Sequence, residues 1–188
     1  KLNKNFAILY GIMLGDGYLG KNVVNVSFDK RDKLYIKYVN NLFKILFGLD
    51  MKIRTHAIKN AAYLYFYSKN LVEELIRFGL KIGSKIKSQV GIPQWIKNNE
   101  NYSKKCIKGL VDTDGCIIFC KRDRQKHINF SNHNLNLLND FKEVSKNLKY
   151  NFAKANKWNT RLYRKKEVER FINEIKPFRE YGVVVQPG

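Results

Sequence analysis

Acidic side chains are the scarcest resource of this sequence. Only 16 Asp and Glu stand against 36 Lys and Arg in 188 residues, a formal charge of +20. A folded domain tolerates such self-repulsion best beside an anionic partner, and nucleic acid is the first candidate. A membrane is the other common anionic surface, but no long uncharged apolar run and no basic helix with a clean apolar face is present, so membranes are set aside. Cysteine is scarce too. Cys106, Cys116 and Cys120 are too few for a disulfide framework, and they sit in or beside apolar periodic segments, as buried free thiols do. No CxxC pair accompanies Cys116, Cys120, His127 and His133, so a zinc site lacks its ligand spacing. No signal peptide opens the numbered sequence, which starts at Lys1, and the expectation is a reducing, intracellular location. What is present suits a globular chain: 44% hydrophobic and 13% aromatic residues suffice for one compact domain or two halves sharing a core.

The order of elements repeats once, at half the chain length. "LYGIMLGDGYLG" (residues 9–20) is an apolar helix-like run that ends in acid and glycine, and "IKGLVDTDGCII" (107–118) repeats it. After the first motif, "VVNVSF" alternates, with Val24, Val26 and Phe28 on one face and Asn25, Ser27 and Asp29 on the other, which predicts a half-buried strand. Residues 32–47 carry Leu34, Ile36, Val39, Leu42, Phe43, Leu46 and Phe47 near a 3.6 period, a helix stopped by Gly48. "MKIRTHAI" and "YLYFYS" predict two more strands, and "NLVEELIRF" a helix ended by Gly79. The second half follows with "CIIFCKR", "HINFSN", the helix "LNLLNDFKEVSKNLKY", strands near "FAKANKW" and "RLYR", and the helix "EVERFINEI". The expected architecture is mixed α+β, two αββαββα halves over residues 1–82 and 103–188 with a connector over 83–102.

Gly11 with Gly15, and Gly109 with Thr113, put a small-residue stripe on one face of each motif helix, which lets two backbones approach closely. Pairing along these stripes brings Asp16 and Asp114 out side by side, each released from its helix by the next glycine. That placement is electrostatically poor: an acid at the negative end of a helix costs about 0.3–1 kcal/mol, and a second carboxylate adds repulsion. A shared cation removes the conflict. Helix C-termini also leave carbonyls unpaired, so the carbonyls of Gly15 and Thr113 join the two carboxylates as hard oxygen ligands, pointing to Mg²⁺ or another divalent ion such as Mn²⁺. One Asp-Gly would be read as a turn; two, each ending a small-striped helix, reverse that preference. Asp112, whose repeat counterpart is Leu14, reads as structural or solvent-facing.

"LYGIMLGDG" and "IKGLVDTDG" resemble the paired signature helices of LAGLIDADG homing endonucleases in their single-chain, two-repeat form, and the element order extends the resemblance over nearly the whole chain. Tyr10 and Lys108 stand where the family has a small residue, and Leu14 where it has an acid. The resemblance implies a monomer whose two antiparallel sheets form a DNA-binding saddle along the major groove. It implies that Asp16 and Asp114 bind divalent metal and support hydrolysis of both strands, leaving short 3′ overhangs and 5′ phosphates. It further implies that Lys30 and Asn132, just after the second strand of each half, position water, and that Lys85 stabilises charge in the transition state.

Base readout falls to polar strand faces. The candidates are Asn25, Ser27, Asp29, Lys52, Arg54, His56, Tyr63, Tyr65 and Tyr67 in the first half. In the second they are Arg122, His127, Asn129, Ser131, Lys154, Asn156, Arg161 and Tyr163, with Arg161 and Tyr163 matched to Tyr63 and Tyr65. The remaining basic residues face solvent or phosphate, which predicts binding that weakens steeply with salt. The reading is a Mg²⁺-dependent, site-specific nuclease acting on double-stranded DNA. Its rivals are an intron-RNA-binding maturase on the same fold, a DNA-binding regulator without catalysis, and a basic ribosomal or RNA-packaging protein. The paired acids argue against the last two.

Overall fold

The computed structural model describes residues 2–121 and 124–178. The first half comprises α1 (Lys4–Gly15), β1 (Gly17–Leu19), β2 (Val23–Asp29), α2 (Lys33–Phe47), β3 (Lys52–Thr55), β4 (Ala61–Tyr67) and α3 (Lys69–Arg77). Two single-turn helices follow, α4 (Lys85–Ser88) and α5 (Gln94–Lys97). The second half comprises α6 (Glu100–Asp114), β5 (Gly115–Cys120), β6 (Gln125–Ser131), α7 (Leu135–Asn147), β7 (Ala153–Lys154), β8 (Asn159–Leu162) and α8 (Lys165–Ile175). Each half therefore runs in the order that the periodicities predict. Helix α6 begins inside the stretch read as connector, because the Asn99 side chain accepts from Tyr102 N at 3.0 Å and caps it there.

Each half folds one four-stranded antiparallel sheet, in the orders β1-β2-β4-β3 and β5-β6-β8-β7. Period-two alternation puts Val24, Val26, Phe28, Ala62 and Leu64 into the core and turns Asn25, Ser27, Tyr63 and Tyr65 the other way. Helices α3, α7 and α8 cover the apolar sides. Among the described residues no helix is long and apolar enough to cross a membrane. Cys106, Cys116 and Cys120 are free thiols; Cys106 is buried, which pushes its thiol pKa up, and the other two lie half-buried on β5.

The two motif helices form the centre of the molecule. A Cβ on Gly11 would strike the backbone of Cys106 and come within 3.1 Å of Leu110 N; a Cβ on Gly109 would strike Ile8 O and come within 2.8 Å of Ile12 N. These glycines let one backbone lie directly on the other. Tyr10 leaves that stripe: its ring turns to Trp95, 5.4 Å away edge-to-face, beside Phe6. Lys108 leaves it as well, so neither large residue holds the helices apart.

Lys108 instead forms a buried pair with Asp112, Nζ to Oδ2 3.0 Å, and donates to Lys176 O at 2.7 Å. Asp112 also accepts from Phe178 N at 2.6 Å, tying the end of α8 to the central helix. Asp112 is 1% exposed and thus structural, not solvent-facing. Burial, and then the charge of Asp112, pushes the Tyr38 hydroxyl up to about 12. Asp112→Ala leaves an uncompensated buried ammonium and is expected to cost about 3–5 kcal/mol in urea unfolding; a loss under about 1 kcal/mol would mean that water already solvates Lys108.

Candidate active site

Asp16 is the C-cap of α1 and Asp114 the last residue of α6, so the helix pairing delivers both acids to the same end of the molecule. A Cβ on Gly15 would lie against the Thr113 side chain and 3.2 Å from Asp114 Oδ2, which places the second acid against the end of the first helix. Asp16 is fixed through its backbone, its N–H donating to Ile12 O at 3.0 Å and its carbonyl accepting from Ser27 N at 3.1 Å. The glycines that follow the acids act differently from the sequence expectation. Gly115 has an extended backbone (φ −99°), and neither it nor Gly17 is left-handed. They are needed because a Cβ on Gly17 would meet Met13, and one on Gly115 would come within 2.6 Å of Val111 O, as each strand leaves tight against its own helix.

Three further side chains complete the cluster. Asn132 donates from Nδ2 to Asp114 Oδ2 at 2.7 Å. Lys85, on α4, donates to Met13 O at 3.2 Å and also to Gly15 O. Asn134, which the sequence analysis did not single out, holds α4 in place: its Nδ2 donates to Lys85 O at 3.2 Å and Val90 O at 2.6 Å, while its Oδ1 accepts from Leu137 N. Its position just before an apolar helix was a readable capping signal; the bonds to α4 were not readable. Lys30 lies after β2 as Asn132 lies after β6, its amide bonded to Asn60 O. The two halves therefore carry different chemistry at this position, an amide bonded to Asp114 in the second and an ammonium in the first.

Burial and then the charge of Asp16 push the Asp114 carboxyl up to about 7, against the opposing pull of Lys85 and the Asn132 hydrogen bond. Burial also lowers Lys85, partly offset by the attraction of Asp114 and Asp16. Such a pair accepts a cation readily. Among the described residues no group of three His, Cys, Asp or Glu converges. The donors that fit a hard divalent ion are the two carboxylates with the C-terminal carbonyls of Gly15 and Thr113, the former shared with Lys85. For the chelator-treated protein, a raised folded-state carboxyl pKa means that Asp114 stabilises the fold around pH 4 and that this contribution is lost as pH rises through 7. Urea midpoints in EDTA are expected to fall between pH 5 and pH 8 by more in the wild type than in Asp114→Asn; equal slopes would remove Asp114 as the cause.

The candidate readout residues divide by strand register. Directly opposed residues share a face, so Tyr18, Asn25, Tyr65 and Lys52 form one row, and Ser27, Tyr63 and Arg54 the next. Arg54 lies over the Tyr63 ring at 5.7 Å, Tyr65 and Tyr67 meet edge-to-face, and these side chains with Tyr18, Val23 and Asn25 line a cavity of about 200 Å³. Asp29 is held by Arg31, and His56 Nδ1 accepts from Ile58 N and Lys59 N, closing the β3–β4 turn rather than facing outward.

In the second half Cys116, Asn129, Arg161 and Ala153 form one row across the sheet. Ser131 opposite Asn159 mirrors Asp29 opposite Ala61, and the bond from Asn132 N to Trp158 O mirrors that from Lys30 N to Asn60 O, so Arg161 stands in register with Tyr63 and Tyr163 with Tyr65, as in the sequence match. Lys154 pairs with buried Thr160 and so lies on the opposite face, with Ala153 beside Arg161. Asn156 accepts from Trp158 N and Asn159 Nδ2 within the β7–β8 turn. Ser131 is exposed on the outward face, whereas His127 shares that face but is 4% exposed, next to Tyr163. Arg122 lies outside the described residues.

The model of a family described as a LAGLIDADG-like domain matches residues 101–176. The fold as a whole matches mesophilic variants of the homing endonuclease I-DmoI, at 17% identity over 92% of this chain and 94% of that one, with a TM-score of 0.65. The chain has the two-repeat LAGLIDADG homing endonuclease fold, and its second half matches the domain model. A second match is I-DmoI in complex with DNA and Mn, 18% identical over 92% of this chain and 96% of that one, TM-score 0.65. A more distant match is the N-terminal LAGLIDADG domain of DUF199/WhiA, 12% identical over 92% and 82% of the respective chains, TM-score 0.56. A search of curated protein sequences found no significant match. At these identities the likeness gives the LAGLIDADG homing endonuclease fold, and function has to be argued from the site.

Proposed function

We propose that this LAGLIDADG chain is a site-specific DNA endonuclease that makes a double-strand break by divalent-metal-dependent phosphodiester hydrolysis. The observation that carries the reading is the juxtaposition of Asp16 and Asp114 at the C-terminal ends of two helices packed backbone to backbone. A fold that needed only to bind DNA would gain nothing from concentrating negative charge there, where helix ends and burial both oppose it. The structural relatives include I-DmoI complexes with DNA and Mn and with DNA and Ca, which supports a divalent ion in the same role here.

In this reading the chain works as a single protomer, with residues 1–82 and 103–188 each serving one half-site. The polar sheet faces lie along the major groove and the +20 charge supplies phosphate contacts. Asp16 and Asp114, with the Gly15 and Thr113 carbonyls, hold Mg²⁺ or Mn²⁺, which when bound would stabilise charge on the attacked phosphate. Asn132, already bonded to Asp114, orients a water at one strand, and Lys30 does so at the other. Lys85 places a positive charge between the acids and the scissile phosphate and stabilises the developing charge.

The test is to incubate the protein with a randomised duplex library and Mg²⁺ and to sequence the new ends. Recovery of one long motif with breaks in both strands supports the reading. Intact DNA under all conditions, together with tight binding of intron RNA, would replace it by the maturase alternative.

A further inference from the structure

Equivalent rows on the two outward sheet faces carry their arginines on different strands and against different partners. In the first half the row is Ser27, Tyr63 and Arg54, with the Arg54 guanidinium lying over the Tyr63 ring at 5.7 Å. In the second it is Cys116, Asn129, Arg161 and Ala153, where Arg161 is the one long side chain between two small ones. Arg161 Nε donates to Asn129 Oδ1 at 2.7 Å, directly across the β6–β8 pair. That bond uses the inner edge of the planar guanidinium and fixes its orientation, while Ala153 on the far side leaves the outer end uncrowded. The two terminal Nη groups remain as a pre-aligned donor pair, and no carboxylate pairs with them among the described residues.

On the proposed function, this face lies in the major groove, where each base pair shows its own pattern. Guanine alone offers two adjacent acceptors, O6 and N7, to a forked donor. A phosphate would also accept a guanidinium, but Arg161 stands on an inner strand of the sheet, β8, with its stem half-buried and its orientation fixed by Asn129. We infer that Arg161, oriented by Asn129, reads a guanine in the half-site served by the second repeat. At the equivalent place the first repeat has Tyr63, which carries a single hydroxyl, and the Arg54 beside it lies over the Tyr63 ring. The two half-sites are then chemically unlike at the paired position, and the target is not a palindrome there.

The experiment is selection of bound duplexes from a randomised library in Ca²⁺ buffer, using the full chain as wild type, Arg161→Gln, Arg161→Lys and Asn129→Ala, with circular dichroism to verify folding. The expected wild-type result is one strongly preferred guanine whose preference over other bases falls about tenfold or more in Arg161→Gln, with the remaining positions unchanged. Arg161→Lys keeps part of the preference, since an ammonium makes one contact rather than two. Asn129→Ala, which releases Nε, broadens preference at that same position and serves as the test if Arg161→Gln does not fold. Weakening of every sequence alike would make Arg161 a phosphate contact and overturn the assignment, as would the absence of any guanine that depends on it. Failure of the wild type to retain any duplex is a different outcome, since it removes the nuclease reading and this assignment with it.

Discussion

Gly109→Ala is expected to destabilise the protein severely. The added methyl would lie on Ile8 O and 2.8 Å from Ile12 N, backbone atoms of a helix that cannot turn aside as a side chain can. Helix propensity argues for the opposite sign, since alanine in place of glycine within a helix gains about 0.5–1 kcal/mol. Overpacking in a core costs about 1–3 kcal/mol even where side chains share the adjustment, and here two whole helices must separate. The steric effect therefore wins, and the expected loss is about 3 kcal/mol or more, a large part of the 5–15 kcal/mol typical of a domain. Gly11→Ala should behave alike, because its Cβ would strike Cys106 and Leu110. Thermal unfolding decides the matter by its sign. A midpoint equal to or above the wild type would mean that the helices are not in backbone contact, and the placement of the two acids would lose its foundation.

Asp114→Asn is expected to leave a better-behaved protein that no longer cuts. The substitution removes a carboxylate that burial and Asp16 push up to about 7, while the amide oxygen can still accept from Asn132 Nδ2. Relief of that conflict raises the stability of the metal-free protein at pH 8, a gain in stability at the cost of function. Cleavage should fall at least about a hundredfold, the scale seen when one preorganised electrostatic group is removed from a transition state. Binding should stay within about tenfold, because phosphate contacts dominate the footprint and one charge among many changes it little. Asp16→Asn should lose cutting in the same way. Gel shifts on one duplex, with strand-resolved cleavage and urea melts, measure all three quantities. A variant that still breaks both strands would show that the acids are structural, and one that neither binds nor folds would show the same.

Much of this was readable because regular structure imposes periods. The 3.6-residue period of Ile36, Val39 and Phe43 and the two-residue period of Val24, Val26 and Phe28 announced helix and strand, and their recurrence announced two halves. The register of β7 and β8 was not readable. Strand β7 has two residues, Ala153 and Lys154, which is too short for any alternation to reveal its phase, so Lys154 was placed one residue from where pairing puts it. Nor could the sequence show that His127, polar and in phase with Asn129, is covered next to Tyr163, or that His56 spends its ring nitrogen on a turn. Those outcomes depend on neighbours far along the chain.

The sequence by itself determined the repeated element order, the small stripes at Gly11 and Gly109 and the acids one turn beyond them, because local periodicity and residue size follow from the order of side chains alone. Only the tertiary structure decided which groups reach those acids. Lys85 from the connector, Asn132 from beyond β6, and Asn134 bracing α4 are brought there by packing between segments distant in the chain. Burial in that assembly, which no local pattern encodes, is what drives the Asp114 carboxyl to about 7.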